Sequence, residues 1–190
     1  MFKIAIFASG SGSNAENIIK YFKNNPNVSV ELVITNNKNA YVLQRAKKMG
    51  VEAFIISKDE LHNSDKVLEI LKNKEINFIV LAGFLLLIPL NVITEFQNRI
   101  VNIHPALLPK YGGKGMYGDN VHKAVVLNKE SKSGITIHFV NEKYDEGAIV
   151  FQAECSLTET DSFEDVAKKV HSLEYEYYPK IIEEILSKIN

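Results

Sequence analysis

Short apolar segments alternate with amphipathic segments along the first half of the chain. The apolar segments are rich in Val, Ile, Leu and Phe, and the predicted strands are 2–8, 28–35, 51–56, 78–82 and 100–104. The amphipathic segments predict helices over 14–23, 40–49 and 59–74, and another that starts near Pro89. This strand–helix order predicts an α/β fold with a doubly wound, mostly parallel sheet.

The pattern changes after residue 104. A Gly-rich loop over 112–118 is followed by a short predicted helix at 121–127. Extended runs at 134–140 and 148–155, joined by a turn at 141–147, predict a C-terminal hairpin. A long C-terminal helix should begin near Ser162, and Pro179 should kink or restart it. We expect a single domain over 1–190, with halves 1–100 and 101–190.

Composition and charge narrow the class of protein. The formal net charge of −1, with 46% hydrophobic and 24% charged residues, is ordinary for a globular domain and argues against a general nucleic-acid partner. Cys155 is the sole cysteine, so a disulfide framework or a thiolate metal cluster is excluded. The uncharged run 76–94 approaches a membrane-spanning length, but Asn77, Gly83 and Pro89 interrupt it. Without a signal-peptide pattern, we expect a cytoplasmic protein.

The segment Ser9-Gly10-Ser11-Gly12-Ser13-Asn14 connects a predicted strand to a predicted helix. Amides at a helix N-terminus bind phosphate, and glycines allow close approach. A dinucleotide site would need an acid after the second strand, where the chain has Asn36 and Asn37, and the Gly-Lys-Ser/Thr of a P-loop is absent. The remaining interpretations are a site for a phosphate monoester or a tight turn with a serine cap.

Asn102 and His104 lie two residues apart at the end of a predicted strand, so their side chains should share a face at its carboxyl end. An amide beside an imidazole suits the stabilisation of a carbonyl oxygen that becomes an anion. A turn containing an ordinary hydrogen-bonded histidine is the structural alternative. Asp145, in the turn between two extended runs, is either a solvated turn acid or a partner that favours a cationic imidazole.

Five motifs occur in one order: FASGSGSN at 7–14, LAGF at 81–84, NIHPALLPKY at 102–111, SGITIHFV at 133–140 and YDEG at 144–147. Together they resemble the folate-dependent formyltransferases. The resemblance spans nearly the whole chain and implies their Rossmann-like fold. It also implies transfer of a formyl group from the cosubstrate 10-formyltetrahydrofolate to the amine of glycinamide ribonucleotide, in de novo purine (IMP) synthesis. It further implies a phosphate-binding first half and a catalytic, folate-binding second half.

The same resemblance assigns residues to roles. Asn102 and His104, the latter at least partly cationic, would donate to the formyl oxygen, and Asp145 would hold His104 and relay a proton. The substrate phosphate would lie on Gly12, Ser13 and Asn14, and Glu174 would bind the ribose hydroxyls. A salt bridge on the helix surface is the alternative for Glu174. His138 and His122 match family histidines near the reacting groups and would support them.

The resemblance also indicates a folate pocket, formed by Leu85, Leu86, Leu87, Ile88, Val140, Asn141 and Asp145. Many relatives have Met-Arg-Ile-Leu where this chain has Leu85 to Ile88, so Leu86 replaces an arginine and favours main-chain contacts to the pterin. The loop 112–118 is longer and richer in glycine than in familiar relatives, which suggests a mobile lid.

Other readings remain. Methionyl-tRNA formyltransferase shares the Asn–His–Asp core but adds a C-terminal domain, and formyltetrahydrofolate deformylase adds an N-terminal one; we expect neither addition here. A nucleotide-binding regulatory module would explain the loop at 9–14 but not Asn102, His104 and Asp145 together. We expect small-molecule substrates, no bound metal, no nucleic acid or membrane partner, and a monomer or homodimer.

Overall fold

The computed structural model describes residues 1–189, and the chain separates between Val101 and Asn102 into two compact units. The first unit contains β1 (Phe2–Phe7), α1 (Ser13–Phe22), β2 (Val28–Thr35), α2 (Val42–Met49), β3 (Glu52–Ile55), α3 (Lys58–His62), α4 (Lys66–Asn73), β4 (Phe78–Leu81) and α5 (Leu90–Glu95). Strand β5 (Ile100–His104) contains the point of division. The second unit continues with α6 (Asp119–Leu127), β6 (Lys132–Phe139), β7 (Ile149–Ser156) and α7 (Phe163–Lys188).

Strand β1 is the centre of the parallel part of the sheet. It pairs in parallel with β2 and with β4, and β2 pairs in parallel with β3. The strand order is β3-β2-β1-β4-β5-β6-β7, so the chain first extends the sheet to one side of β1 and then resumes on the other side at β4. Such a reversal leaves a crevice at the carboxyl ends of the two strands, where open α/β sheets bind ligands. The predicted α/β fold is confirmed.

Burial explains why the strands are continuously apolar. Residues 4–7 of β1 and 78–81 of β4 are all buried, as expected for parallel strands that are covered on both faces. Helix α1 buries Ala15, Ile18, Ile19 and Phe22, whose spacing forms a single apolar stripe. The uncharged run 76–94 forms β4 and α5, the latter with Pro89 as its N-cap. Within residues 1–189, no helix has the length and apolar character needed to cross a membrane.

The helix predicted over 59–74 is wrong, because two helices, α3 and α4, occupy this segment. Ser57 and Glu60 form a reciprocal capping box at the start of α3. At its end, the Asn63 side chain donates to Asp59 Oδ1 at 2.7 Å, and the Ser64 hydroxyl donates to the Glu60 carbonyl at 2.8 Å. Such local side-chain bonds compete with the helical ladder and end it.

The predicted hairpin is confirmed, since β6 and β7 pair in antiparallel register from Lys132↔Ser156 to His138↔Ile149. A register shift falls between Ile137 and His138. Helix α7 starts with a capping box between Ser162 and Asp165. Of the predicted kink or restart at Pro179, the restart is wrong, because α7 runs through this residue; Pro179 is buried, and tertiary packing stabilises the helix there.

Candidate active site

In the first unit, Ser9 joins the loops that follow β1, β2 and β4. Its hydroxyl donates to Asn36 Oδ1 at 2.5 Å and accepts from the Leu85 amide at 2.9 Å. Its own amide donates to the Gly83 carbonyl at 3.0 Å. The structure therefore brings the start of the predicted folate segment next to the predicted phosphate loop, at the reversal point of the sheet. Sequence reasoning placed Ser9 in the phosphate loop but missed its role in joining three loops, which depends on contacts distant in sequence.

Gly12 is the N-cap of α1, and both its conformation and its surroundings require glycine. Its φ is +72°, and an added Cβ would lie 2.3 Å from Val42 Cγ2 and 2.9 Å from Val42 Cα. Ser13 and Asn14 follow as the first residues of α1. The first amides of a helix have no acceptor within it and favour an anion. The predicted phosphate residues thus lie at a helix N-terminus.

The other predicted folate residues differ in exposure. The Leu85 side chain is 45% exposed, Leu86 and Leu87 are half-buried, and Ile88 is 3% exposed and belongs to the core. In the second unit, Val140 and Asn141 are half-buried at the end of β6, and the Asn141 side chain accepts from the Lys143 amide at 2.9 Å.

In the second unit, the structure brings Asn102, His104, His138 and Asp145 together. The Asp145 carboxylate lies between two imidazoles: its Oδ2 is 3.5 Å from His104 Nδ1 and its Oδ1 is 3.6 Å from His138 Nε2. Asn102 Nδ2 is 3.1 Å from His138 Nε2. Asn102 and His104 both lie on β5 with one residue between them, and Asp145 comes from the turn after β6.

The His104 side chain is 4% exposed, and both of its ring nitrogens have neighbours. Nε2 is 2.7 Å from the Tyr111 carbonyl, which accepts only, so Nε2 carries a proton and Nδ1 faces Asp145. Burial lowers the pKa of His104, while the Asp145 charge and the Tyr111 bond offset only part of this effect. The lowered pKa favours the neutral imidazole in this state of the site, whereas the at least partly cationic form expected during the reaction stays a prediction.

Asp145 is held by the backbone as well as by its neighbours. The Gly113 amide donates to its Oδ2 at 2.9 Å, and its φ of +58° lies in the left-handed region. Burial raises the pKa of Asp145, but His138 and His104 in their protonated forms, together with the Gly113 amide, outweigh burial, so the pKa is lowered overall. Asp145 is thus an ionised, oriented carboxylate rather than a solvated turn acid. The contacts of Tyr111 and Gly113 had no sequence signal because they are made by backbone atoms.

His122 and Glu174 belong to a neighbouring cluster in the second unit. His122 is 1% exposed, and its ring centroid is 6.3 Å from that of His171, whose Nε2 is 4.0 Å from Glu174 Oε2. Glu174 is 6% exposed, and its contact with the exposed His171 is an i,i+3 pair on α7, so the alternative of a helix-surface salt bridge stays open beside the ribose-binding prediction. Burial and the charges of His171 and His104 lower the pKa of His122 to about 4, against a smaller opposing effect of Asp119. Among residues 1–189, no group of three or more His, Cys, Asp or Glu side chains could hold a metal ion.

The amide, the two imidazoles and the carboxylate that meet in the second unit are groups that can stabilise an oxyanion and move a proton. The chain belongs to the formyl transferase family, whose model matches residues 2–182.

The most informative relatives carry one name. The chain is 39% identical over 186 residues to the chloroplastic phosphoribosylglycinamide formyltransferase of Arabidopsis thaliana, covering 95% of this chain and 64% of the relative. It is 32% identical over 195 residues to that of Bacillus subtilis, covering 100% and 97%. It thus spans less than two thirds of the length of the plant relative and nearly all of the bacterial one.

Solved structures agree with the sequence comparisons. The phosphoribosylglycinamide formyltransferase of Bacillus halodurans is similar with a TM-score of 0.87 and 34% identity, over 99% of this chain and 97% of that one. The enzyme of Streptococcus pneumoniae is similar with a TM-score of 0.86 and 30% identity, over 98% and 99%.

Proposed function

We propose that this chain transfers a formyl group from 10-formyltetrahydrofolate to the primary amine of glycinamide ribonucleotide, a step of de novo purine synthesis. The single observation that carries the proposal is the cluster of Asn102, His104 and Asp145, whose side chains converge within hydrogen-bond or ion-pair distances of one another or of His138. The names of the relatives support the choice of amine.

In this reaction the amine nitrogen attacks the formyl carbon, and the carbonyl oxygen becomes an oxyanion. The Asn102 amide stabilises that oxyanion by donating a hydrogen bond, a contribution that is typically about 3–4 kcal/mol. The nitrogen then loses its proton, the bond from the formyl carbon to the folate nitrogen breaks, and that nitrogen takes up a proton. No covalent enzyme intermediate is required.

His104 and Asp145 serve the proton transfer. The free lone pair of His104 Nδ1 faces the Asp145 carboxylate, so a proton that arrives there is stabilised by an adjacent negative charge. Donation from His104 Nε2 to the formyl oxygen requires the bond with the Tyr111 carbonyl to be exchanged for one with the substrate. The neutral resting imidazole suits a group that accepts a proton during turnover.

The binding groups follow from each unit separately. In the first unit, Gly12, Ser13 and Asn14 offer the N-terminus of α1 to the substrate phosphate, and Leu85 to Leu87 contribute to folate binding. In the second unit, Glu174 binds the ribose hydroxyls, and Val140 and Asn141 contribute to the folate site with Asp145. The net charge of −1 supports small-molecule substrates rather than nucleic acid.

The test is a turnover assay with purified protein and 10-formyltetrahydrofolate, in which release of tetrahydrofolate is followed with glycinamide ribonucleotide, methionyl-tRNA or water alone as acceptor. We expect turnover only with glycinamide ribonucleotide. The matched control is Asn102→Ala, for which kcat should fall by about 10²–10³ with folding intact. Turnover of similar rate with water alone would assign a hydrolase instead, and turnover that prefers methionyl-tRNA would also contradict the proposal.

A further inference from the structure

His138 is a buried residue whose imidazole contacts the side-chain amide of Asn102. It is 2% exposed on β6, next to the register shift between Ile137 and His138. Irregularities of this kind re-aim a side chain next to a site. Its Nε2 is 3.1 Å from Asn102 Nδ2, and its Nδ1 is 2.8 Å from the Phe139 carbonyl.

These two contacts determine which nitrogen of His138 carries the proton. The Phe139 carbonyl accepts only, so the 2.8 Å contact requires a proton on Nδ1. Nε2 of that tautomer has a lone pair and accepts. The Asp145 oxygen is 3.6 Å from Nε2, beyond hydrogen-bond distance, so the partner of Nε2 is the Asn102 amide.

The tautomer in turn orients Asn102. A carboxamide has a donor side and an acceptor side of nearly the same shape, and a half-turn exchanges them. An accepting Nε2 selects the orientation in which the NH2 group faces His138, so one of its two hydrogens is bound and its other hydrogen stays available. In the opposite orientation, the amide oxygen would take the place of the NH2 group and would repel an oxyanion.

We propose that His138 is a positioning residue that holds the Asn102 amide in its donor orientation, and that the Phe139 carbonyl locks the required His138 tautomer. The inference rests on the proposed function only for its catalytic consequence, because the orientation itself is a property of the free protein. His138 need not touch either substrate.

The neighbourhood of Phe139 supports the lock. The Phe139 amide donates to the Ala148 carbonyl at 2.9 Å, which fixes the peptide at the end of β6. A Cβ on Gly147 would lie 1.6 Å from the Phe139 oxygen and 3.4 Å from His138 Nδ1. Only glycine therefore allows this carbonyl to remain against the imidazole.

The kinetic test compares His138→Leu, which removes the acceptor, with His138→Gln, whose amide oxygen can replace it. We expect His138→Leu to lower kcat by about 10- to 100-fold while KM for both substrates changes by less than about twofold, since the donor is misoriented and binding is not. His138→Gln should recover most of the loss. His62→Leu, the same change on α3, is the matched control and should leave both constants unchanged.

A double-mutant cycle decides whether His138 acts through Asn102. In the Asn102→Ala background, His138→Leu should have little further effect on kcat, because the group that it orients is already gone. Equal fold-losses in both backgrounds, or a His138→Leu kcat within twofold of wild type, would overturn the proposal.

An NMR measurement keeps the inference separate from the reaction assignment. Two-bond ¹H–¹⁵N correlations of the His138 ring in the ligand-free protein should show the proton on Nδ1 and a bare Nε2. A proton on Nε2 would overturn the inference whichever reaction the enzyme performs. Loss of the formyl transfer activity itself, with the expected tautomer present, would count against the proposed function alone.

Discussion

His122 should make the folded protein less stable as the pH falls below neutrality. The imidazole is 1% exposed, and burial lowers its pKa from 6.5 to about 4. Between these two pH values His122 is mostly protonated in the unfolded chain and mostly neutral in the folded chain. The free energy of unfolding therefore decreases as the pH falls through this window and is independent of His122 well above pH 6.5.

The size of the effect follows from these two pKa values. The proton-linkage relation gives a loss of about 2 kcal/mol at pH 5, rising to about 3 kcal/mol below pH 4 and vanishing at pH 7.5. His171, His104 and Asp119 are the titratable groups that act on His122, and all three are retained in the test. The substitution is His122→Leu, which has a similar volume and removes a buried ring nitrogen.

Urea denaturation at pH 7.5 and pH 5.0 measures the prediction, with the midpoint shift multiplied by the m-value. We expect His122→Leu to be within about 1 kcal/mol of wild type at pH 7.5 and to gain about 2 kcal/mol relative to wild type at pH 5.0. Val125→Ala, on the buried face of the same helix, should cost the same at both pH values. The reasoning would be refuted if the difference in free energy of unfolding between wild type and His122→Leu changed by less than about 0.5 kcal/mol between the two pH values.

Two further substitutions test the two units. Gly12→Ala should lower the free energy of unfolding by about 2–4 kcal/mol, because of the left-handed φ and the clash with Val42. The control Gly10→Ala, with no atom within 4 Å of the new Cβ, should lower it by less than about 1 kcal/mol. Equal midpoints of the two variants in urea would contradict this prediction. Asp145→Asn should lower kcat by about 10²–10⁴-fold with both KM values retained. It should also move the limb of the pH–rate profile assigned to His104 to lower pH, since the charge that stabilises the protonated imidazole is lost. A kcat within threefold of wild type would contradict the proton-transfer role.

Elements whose boundaries depend on burial were predictable from the sequence. Strand β2 was predicted over 28–35 and occupies Val28–Thr35, because a segment rich in β-branched residues between Asn27 and Asn36 favours a strand. The helix predicted over 40–49 ends at Met49 as predicted, since the next residue, Gly50, has a left-handed φ of +72°. The break between α3 and α4 was not predictable from apolar periodicity, since it depends on hydrogen bonds of Asn63 and Ser64 that leave the hydrophobic pattern unchanged.

The candidate site shows the same division. That Asn102 and His104 share a face of β5 followed from strand geometry. The position of Asp145 depends on the conformation of a turn, and the sequence spacing does not give its distance from His104. The family resemblance, rather than the residues alone, pointed to Asp145, His138 and His122. The neutral resting state of His104 was also not predictable, because burial sets the pKa and the sequence does not give the depth of a side chain.

Backbone atoms orient the reactive side chains of the second unit. His104 is bound to the Tyr111 carbonyl, His138 to the Phe139 carbonyl, and Asp145 to the Gly113 amide. A preorganised site needs such partners, because a side chain held by a second flexible side chain would lose part of its orientation during reaction. Backbone partners persist through most substitutions at their own positions, so the orientation of the cluster depends on chain conformation rather than on the identity of Tyr111 or Phe139. Glycines in the adjoining loops, where a side chain would displace those backbone groups, are therefore the positions at which a change distant from the chemistry should disturb the site most.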